Sequence, residues 1–226
     1  MKPIRYQLLI LSALLLALPT ICAASPHAGP YVSGFIGVSV PRDNTVTTEN
    51  FDNTPTNHDK VEFEPGINIG GTGGFDFGYL RLEGEMSFKY SEIESITDQN
   101  ANFRFRNPDG NLGVAAFMTN AFFDLHNESR VTPYLGGGIG FASLHLSDTR
   151  ATDAAGRVLL YDEDNDAVFA YQAGAGVEVA INRMFSLDFG YRYFATDTAN
   201  FDNGFDQATS LKFESHNATV GFRTTF

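Results

Sequence analysis

"LRLEGEMSFKYS", residues Leu80–Ser91, separates into two lists when every second residue is read. Leu80, Leu82, Gly84, Met86, Phe88 and Tyr90 are apolar or small, whereas Arg81, Glu83, Glu85, Ser87, Lys89 and Ser91 are all polar. A period of two places the lists on opposite faces of a β-strand. One face is apolar and the other carries four charges, so the fold turns on which of the two is the inside.

The pattern repeats along the chain. Ile67–Gly78 sets Ile67, Ile69, Phe75 and Phe77 against Asn68, Thr72 and Asp76. Phe169–Ile181 sets Phe169, Tyr171, Val177 and Val179 against Gln172 and Glu178. Phe185–Tyr193 sets Phe185, Leu187, Phe189, Tyr191 and Tyr193 against Asp188 and Arg192. In the terminal "HNATVGFRTTF", Ala218, Val220, Phe222 and Phe226 alternate with Asn217, Thr219 and Arg223. Eight segments follow: 31–40, 67–78, 80–91, 112–125, 131–146, 167–181, 184–195 and 216–226. The first, fourth and fifth are rich in Gly and Ala and do not settle their own facing. A composition of 21 Phe, 9 Tyr and 22 Gly suits strands rather than helices.

The connections decide the topology. Gly78-Tyr79, His126–Arg130 and Asn182-Arg183 are short; 41–66, 92–111, 147–166 and 196–215 are long and polar. Short and long alternate strictly, so an up-and-down antiparallel sheet gathers all short turns at one end. Long irregular loops argue against a compact soluble domain, but short turns at one end and long loops at the other characterise outer-membrane barrels. The expected fold is an all-β, eight-stranded antiparallel up-and-down transmembrane β-barrel, with short periplasmic turns and four long extracellular loops.

Period two alone also fits a soluble barrel with an apolar lumen. Aromatics near both ends of the apolar faces favour the membrane version, as interfacial girdles do. Mixed-sign charges on the polar faces suit a narrow interior where each finds a partner: Asp76, Glu83, Glu85, Glu178 and Asp188 with Arg81, Lys89, Arg192 and Arg223. Strands of this length cross a bilayer at a tilt. The last strand gains a partner, and loses its free edge, by closing on the first. Eight strands leave room only for side chains, so a filled interior is expected over a small-diameter, porin-like diffusion channel.

Residues 1–24 read as a signal peptide ahead of a barrel domain at 25–226. Lys2 and Arg5 precede an apolar run, Leu8–Leu18, and small residues at Cys22-Ala23-Ala24. The run is too short to span a membrane as a helix. Its removal takes away the single cysteine and leaves 13 basic residues against 27 acidic ones, a formal charge of −14. An acidic exported chain is not expected to bind nucleic acid.

"NAFFDL" (Asn120–Leu125), "TPYLGGGIGFA" (Thr132–Ala142), "FAYQAGAGVEVAI" (Phe169–Ile181), "FSLDFGYRYF" (Phe185–Phe194) and the terminal stretch resemble, in order, the small outer-membrane β-barrel superfamily. That group takes in opacity-type surface proteins, major surface antigens and the OmpA/OmpX-like membrane domains. The resemblance implies a monomer in the Gram-negative outer membrane, in contact with lipid and lipopolysaccharide. It implies a structural, adhesion or antigen-display role, with any host or surface ligand bound through the loops. Thr219, Gly221, Phe222 and Phe226 resemble the signal read by the barrel-assembly machinery; Thr224 stands where a larger apolar residue is common.

No catalytic set, cofactor motif or metal site is expected. Asp162–Asp166 begins like a calcium loop but has Ala167 and Ala173 where that loop needs Gly and Glu; an acidic loop tip is the expectation. His126 and Ser129 raise a lipid A-modifying enzyme, yet they fall in a short turn with no third orienting group visible. His216 is expected at the interface as a girdle residue. "NFDN" occurs at 50–53 and at 200–203, so that Phe51 and Phe201 either dock on the rim or offer a contact to a partner.

Overall fold

The computed structural model describes residues 28–50, 57–101, 103–125, 129–152, 156–161, 164–202 and 207–226. The leader at 1–24 lies outside the described residues, and its cleavage remains a proposal.

Eight antiparallel pairings close a ring. β1 (Gly29–Pro41) pairs with β4 (Gly66–Asp76), β4 with β5 (Leu80–Asp98), and β5 with β7 (Asn111–Asp124). β7 pairs with β8 (Val131–Leu146), β8 with β11 (Asp164–Ala180), and β11 with β12 (Phe185–Asp202). β12 pairs with β13 (Gln207–Thr225), and β13 returns to β1 from Tyr31↔Thr225 to Pro41↔Ser215. No edge is left in the ring, so every strand's backbone groups find partners without water.

The turn at Gly78 has φ of 100° and is closed by the Gly78 amide donating to Asp76 Oδ1 at 2.6 Å. That backbone angle suits glycine and few other residues.

The long connections differ from the irregular loops expected of them. β2 (Asn44–Asn50) continues β1 alongside β13, and β3 (Asn57–Phe63) leads into β4 alongside β5. β2 and β3 pair with each other, so the wall is carried beyond the ring's apolar band. β5, β12 and β13 extend in the same direction, to 19, 18 and 19 residues. β6 (Phe103–Arg104) adds to β5, and β9 (Thr149–Thr152) forms a small hairpin with β10 (Arg157–Tyr161).

The reason lies in a reversal of hydrophobic phase. From Leu80 to Tyr90 the apolar residues of β5 point outward and its charges inward; beyond Ser91, Ile93 and Ile96 are buried while Glu92 and Glu94 are exposed. β13 reverses likewise, with Leu211 and Phe213 buried but Val220 and Phe222 exposed. The outward apolar band is about 25–28 Å high, at about 3.3 Å per residue and a tilt of about 40°. That height matches a bilayer's hydrocarbon core. Beyond it the barrel stands in water and reverts to the ordinary soluble arrangement.

Candidate functional site

The interior has two layers. On the side nearest the short turns, the inward face of β5 presents Arg81, Glu83, Glu85 and Lys89, all at most 5% exposed. Opposite stands a wall of small residues, with glycines on the inward faces of β8 and β11. A Cβ at Gly138 would strike the Asn120 side-chain oxygen, and one at Gly176 the Tyr134 hydroxyl. Long charged side chains fill the lumen because the facing wall leaves room for them.

Three guanidinium groups organise this layer. Arg81 Nε lies 2.8 Å from Asp124 Oδ2, and its Nη1 lies 3.6 Å from Glu178 Oε2. Arg223 also pairs with Glu178, two strands away from β13 rather than on an adjoining strand. Arg192 pairs with Glu85, and its Nη2 lies 3.5 Å from Glu83 Oε1. Neutral donors occupy several further carboxylate positions. The Tyr31 hydroxyl donates to Glu83 at 2.7 Å, Ser186 to Glu178 at 2.6 Å, and Tyr134 to Asp188 at 2.9 Å. Asn120 donates to both Glu83 and Glu85, and Gln172 to Glu85 and to Asn120 Oδ1. Arg81 lies 4.5 Å from the centre of the Tyr134 ring and Arg223 4.3 Å from that of Tyr31. Buried charges need this density of partners to offset their lost hydration.

Asp76 and Lys89 also bond close to their own positions in the chain. Asp76 caps the Gly78 turn, and Lys89 donates to Ser87 Oγ at 3.1 Å. Between Arg81, Arg192 and Arg223 lies a cavity with about 10 Å³ open to the centre of a water molecule, which is room for one water.

Above Lys89 the interior becomes apolar. Leu112, Val114, Leu144, Leu146, Phe194 and Phe213 belong to one buried cluster that also takes in Val61, Ile93 and Ile96. Phe201 is fully buried within it, so it offers no exposed contact; Phe51 lies outside the described residues.

The outer rim is uneven in charge. Lys60 bonds Asp43 at 2.9 Å and Glu62 at 2.6 Å. Glu214 receives Arg42 at 2.9 Å and Lys212 at 3.0 Å. The Lys212 hydrogen bond holds the Glu214 carboxyl below the ordinary glutamate range, against a smaller effect of burial, and Lys212 is raised in return. His216 is exposed in the middle of β13, with Nδ1 2.6 Å from the Tyr191 hydroxyl and its ring beside that of Tyr193.

The terminal residues divide by face. Phe222 and Phe226 are 47% and 72% exposed, Thr219 is buried, and Gly221 lies opposite Phe35 in the register. Asp164–Asp166 opens β11 rather than forming a loop tip, and Asp166 accepts the Asn200 amide at 2.8 Å. Asp162 and Glu163 lie outside the described residues, as does His126. Ser129 Oγ is engaged with the backbone of Val131. Among the described residues no group of His, Asp or Glu is arranged to hold a metal.

Sequence reasoning missed Tyr31, Asn120, Phe122, Asp124 and Tyr134 as lumen residues. Asn120, Phe122 and Asp124 share one face of β7 and were legible as a spacing of two. The apolar residues on both faces of that strand hid which face it was.

A closed ring with an outward apolar band and a filled lumen defines an integral outer-membrane barrel. The chain belongs to the outer membrane protein beta-barrel domain family, which it matches over residues 8–226. It is 27% identical over 190 residues, covering 75% of each chain, to the outer membrane protein PagN of Salmonella typhimurium. Its fold is shared with the outer membrane protein OprG of Pseudomonas aeruginosa, with a TM-score of 0.62, 12% identity and coverage of 90% of this chain and 98% of that one. Neisserial surface protein A has a TM-score of 0.49 and 16% identity over 88% of this chain and 98% of that one. The protein is therefore an outer-membrane protein of the Gram-negative type.

Proposed function

We propose that the protein is a non-conducting, non-enzymatic surface barrel, monomeric in the membrane, whose role is structural or is exercised through its extracellular wall. The observation that carries this reading is the apolar cluster around Phe194, Phe213 and Leu144 stacked above the ion-pair layer. A charged lumen by itself suits a narrow pore. An apolar layer above it forces any ion to shed its water with nothing to replace it. Engagement of Ser129 by the Val131 backbone speaks against a hydrolytic role for the His126 turn. Adhesion or antigen display falls to the strand extensions and their tips, where side chains are free to vary.

Purified protein in a planar bilayer is expected to give no reproducible single-channel openings. Openings of fixed size would overturn the filled-lumen reading in favour of a small diffusion channel.

A further inference from the structure

The lipid-facing surface carries two apolar grooves that differ in what stands above them. One, of about 670 Å³, runs between Ile36 and Val38 on β1, Ala218 and Val220 on β13, and Phe189 and Tyr191 on β12. Its floor is low where β13 presents Ala218 between bulkier neighbours. The other, of about 820 Å³, lies over β5, β7 and β8 beside Met86, Phe117 and Phe141.

Following β13 upward from the first groove, the outward residues are Ala218, His216, Glu214 and Lys212. Arg42 is tied to this strand by its amide, which donates to the Glu214 carbonyl at 2.9 Å. The Arg42 and Lys212 side chains each spend one donor on Glu214, yet remain 59% and 42% exposed. The Tyr193 hydroxyl is within hydrogen-bonding reach of Glu214 and Arg42. The neighbouring acid, Asp43, is held by Lys60 at 2.9 Å. Above the second groove, by contrast, β5 presents Glu92 and Glu94. In a chain of net charge −12, one groove is headed by two cations around one carboxylate and the other by two carboxylates.

We propose that the β1–β13–β12 wall binds one phosphorylated glycolipid of the outer leaflet. Arg42 and Lys212 take its phosphate, and one acyl chain lies in the groove beneath Tyr191. Glu214 holds the two cations side by side, leaving their remaining donors directed away from it. Arginine and lysine together give a phosphate a planar fork and a point charge. Each cation near a membrane surface attracts anionic lipid by about 1 kcal/mol. Tyr191, Tyr193 and His216 form an amphipathic collar at the depth where headgroup and acyl chain meet.

The full-length mature protein would be released from mixed micelles into native mass spectrometry with bis-phosphorylated lipid A, or with the same lipid stripped of its phosphates. Retention of one phosphorylated lipid is expected, and roughly thirtyfold less of the stripped form, the change for losing about two cationic contacts. Arg42→Gln with Lys212→Gln should bring the phosphorylated lipid down to the stripped level, while Glu92→Gln with Glu94→Gln should not lower it. Equal retention of both lipids by the unaltered protein overturns the proposal, whether or not the variants fold. Undiminished retention by the folded Arg42/Lys212 variant overturns it as well.

Discussion

The Lys89 ammonium lies 4.0 Å from the centre of the Phe194 ring, where the charged layer of the lumen meets the apolar one. Lys89 is 2% exposed and Phe194 fully buried. The ring face supplies part of what the cation loses on leaving water. It also begins the layer that separates the ion pairs from the solvent at the end of the barrel carrying the strand extensions.

Truncation of Phe194 removes that lid. Phe194→Ala should destabilise the folded barrel by about 3–5 kcal/mol, the usual cost of emptying a buried aromatic site. Urea unfolding in detergent, followed by the shift between folded and unfolded electrophoretic mobility, measures it. A loss below about 1 kcal/mol would show that the upper layer is loosely packed and not a barrier.

Arg81 and Asp124 form a pair in which each side chain is 2% exposed. Arg81→Met should therefore cost about 3–5 kcal/mol, because it leaves Asp124 buried beside Glu178 without its cation. Arg81→Met with Asp124→Asn should recover a large part of that loss, since no uncompensated charge then remains at that position. A double variant as unstable as the sum of the singles would mean that the two do not interact in the folded barrel.

Gly138 on β8 is the register partner of Asn120 on the adjoining β7, with no space between them for a side chain. Gly138→Ala is expected to cost about 1–3 kcal/mol through overpacking, and to displace the Asn120 amide from Glu83 and Glu85. Asn120→Gly in the same chain should relieve only the side-chain part of the clash, because the Thr119 carbonyl oxygen would still lie 2.4 Å from the added carbon, and the two carboxylates lose a donor. If Gly138→Ala alone is neutral, the glycine wall is not what makes room for the network.

The lower half of this architecture was legible because lipid and lumen impose opposite chemistries on alternate residues. Arg81, Glu83, Glu85 and Lys89 fall on one face of β5 by spacing alone. The upper half was hidden by the same rule. Between Tyr90 and Ile93, and between Phe213 and Ala218, apolar residues change from outward to inward facing. A reader of periodicity meets that change of phase as the end of a strand. Irregularities in pairing, such as the shift between Glu62 and Phe63 opposite β5, blur the count further. The particular ion pairs were not legible either. Arg223 reaches across to Glu178 and Arg192 to Glu85, contacts fixed by the curvature of the closed ring rather than by sequence separation.

Phe226 ends the seam between β13 and β1. Its backbone amide donates to the Pro30 carbonyl at 3.0 Å and so closes that seam, but its side chain is 72% exposed. Phe226→Ala keeps that hydrogen bond and removes a ring that packs little against the protein, so folded stability should change by less than about 1 kcal/mol. If Phe226, with Thr219, Gly221 and Phe222, is read by the assembly machinery, the substitution should nevertheless slow insertion in cells. Refolding of the purified variant into detergent should proceed as for the unaltered protein. Pulse-labelling with outer-membrane fractionation, run beside in vitro refolding, separates the two effects. Normal insertion in cells would remove the assembly role from Phe226, and an equal defect in both assays would assign the residue to the stability of the seam.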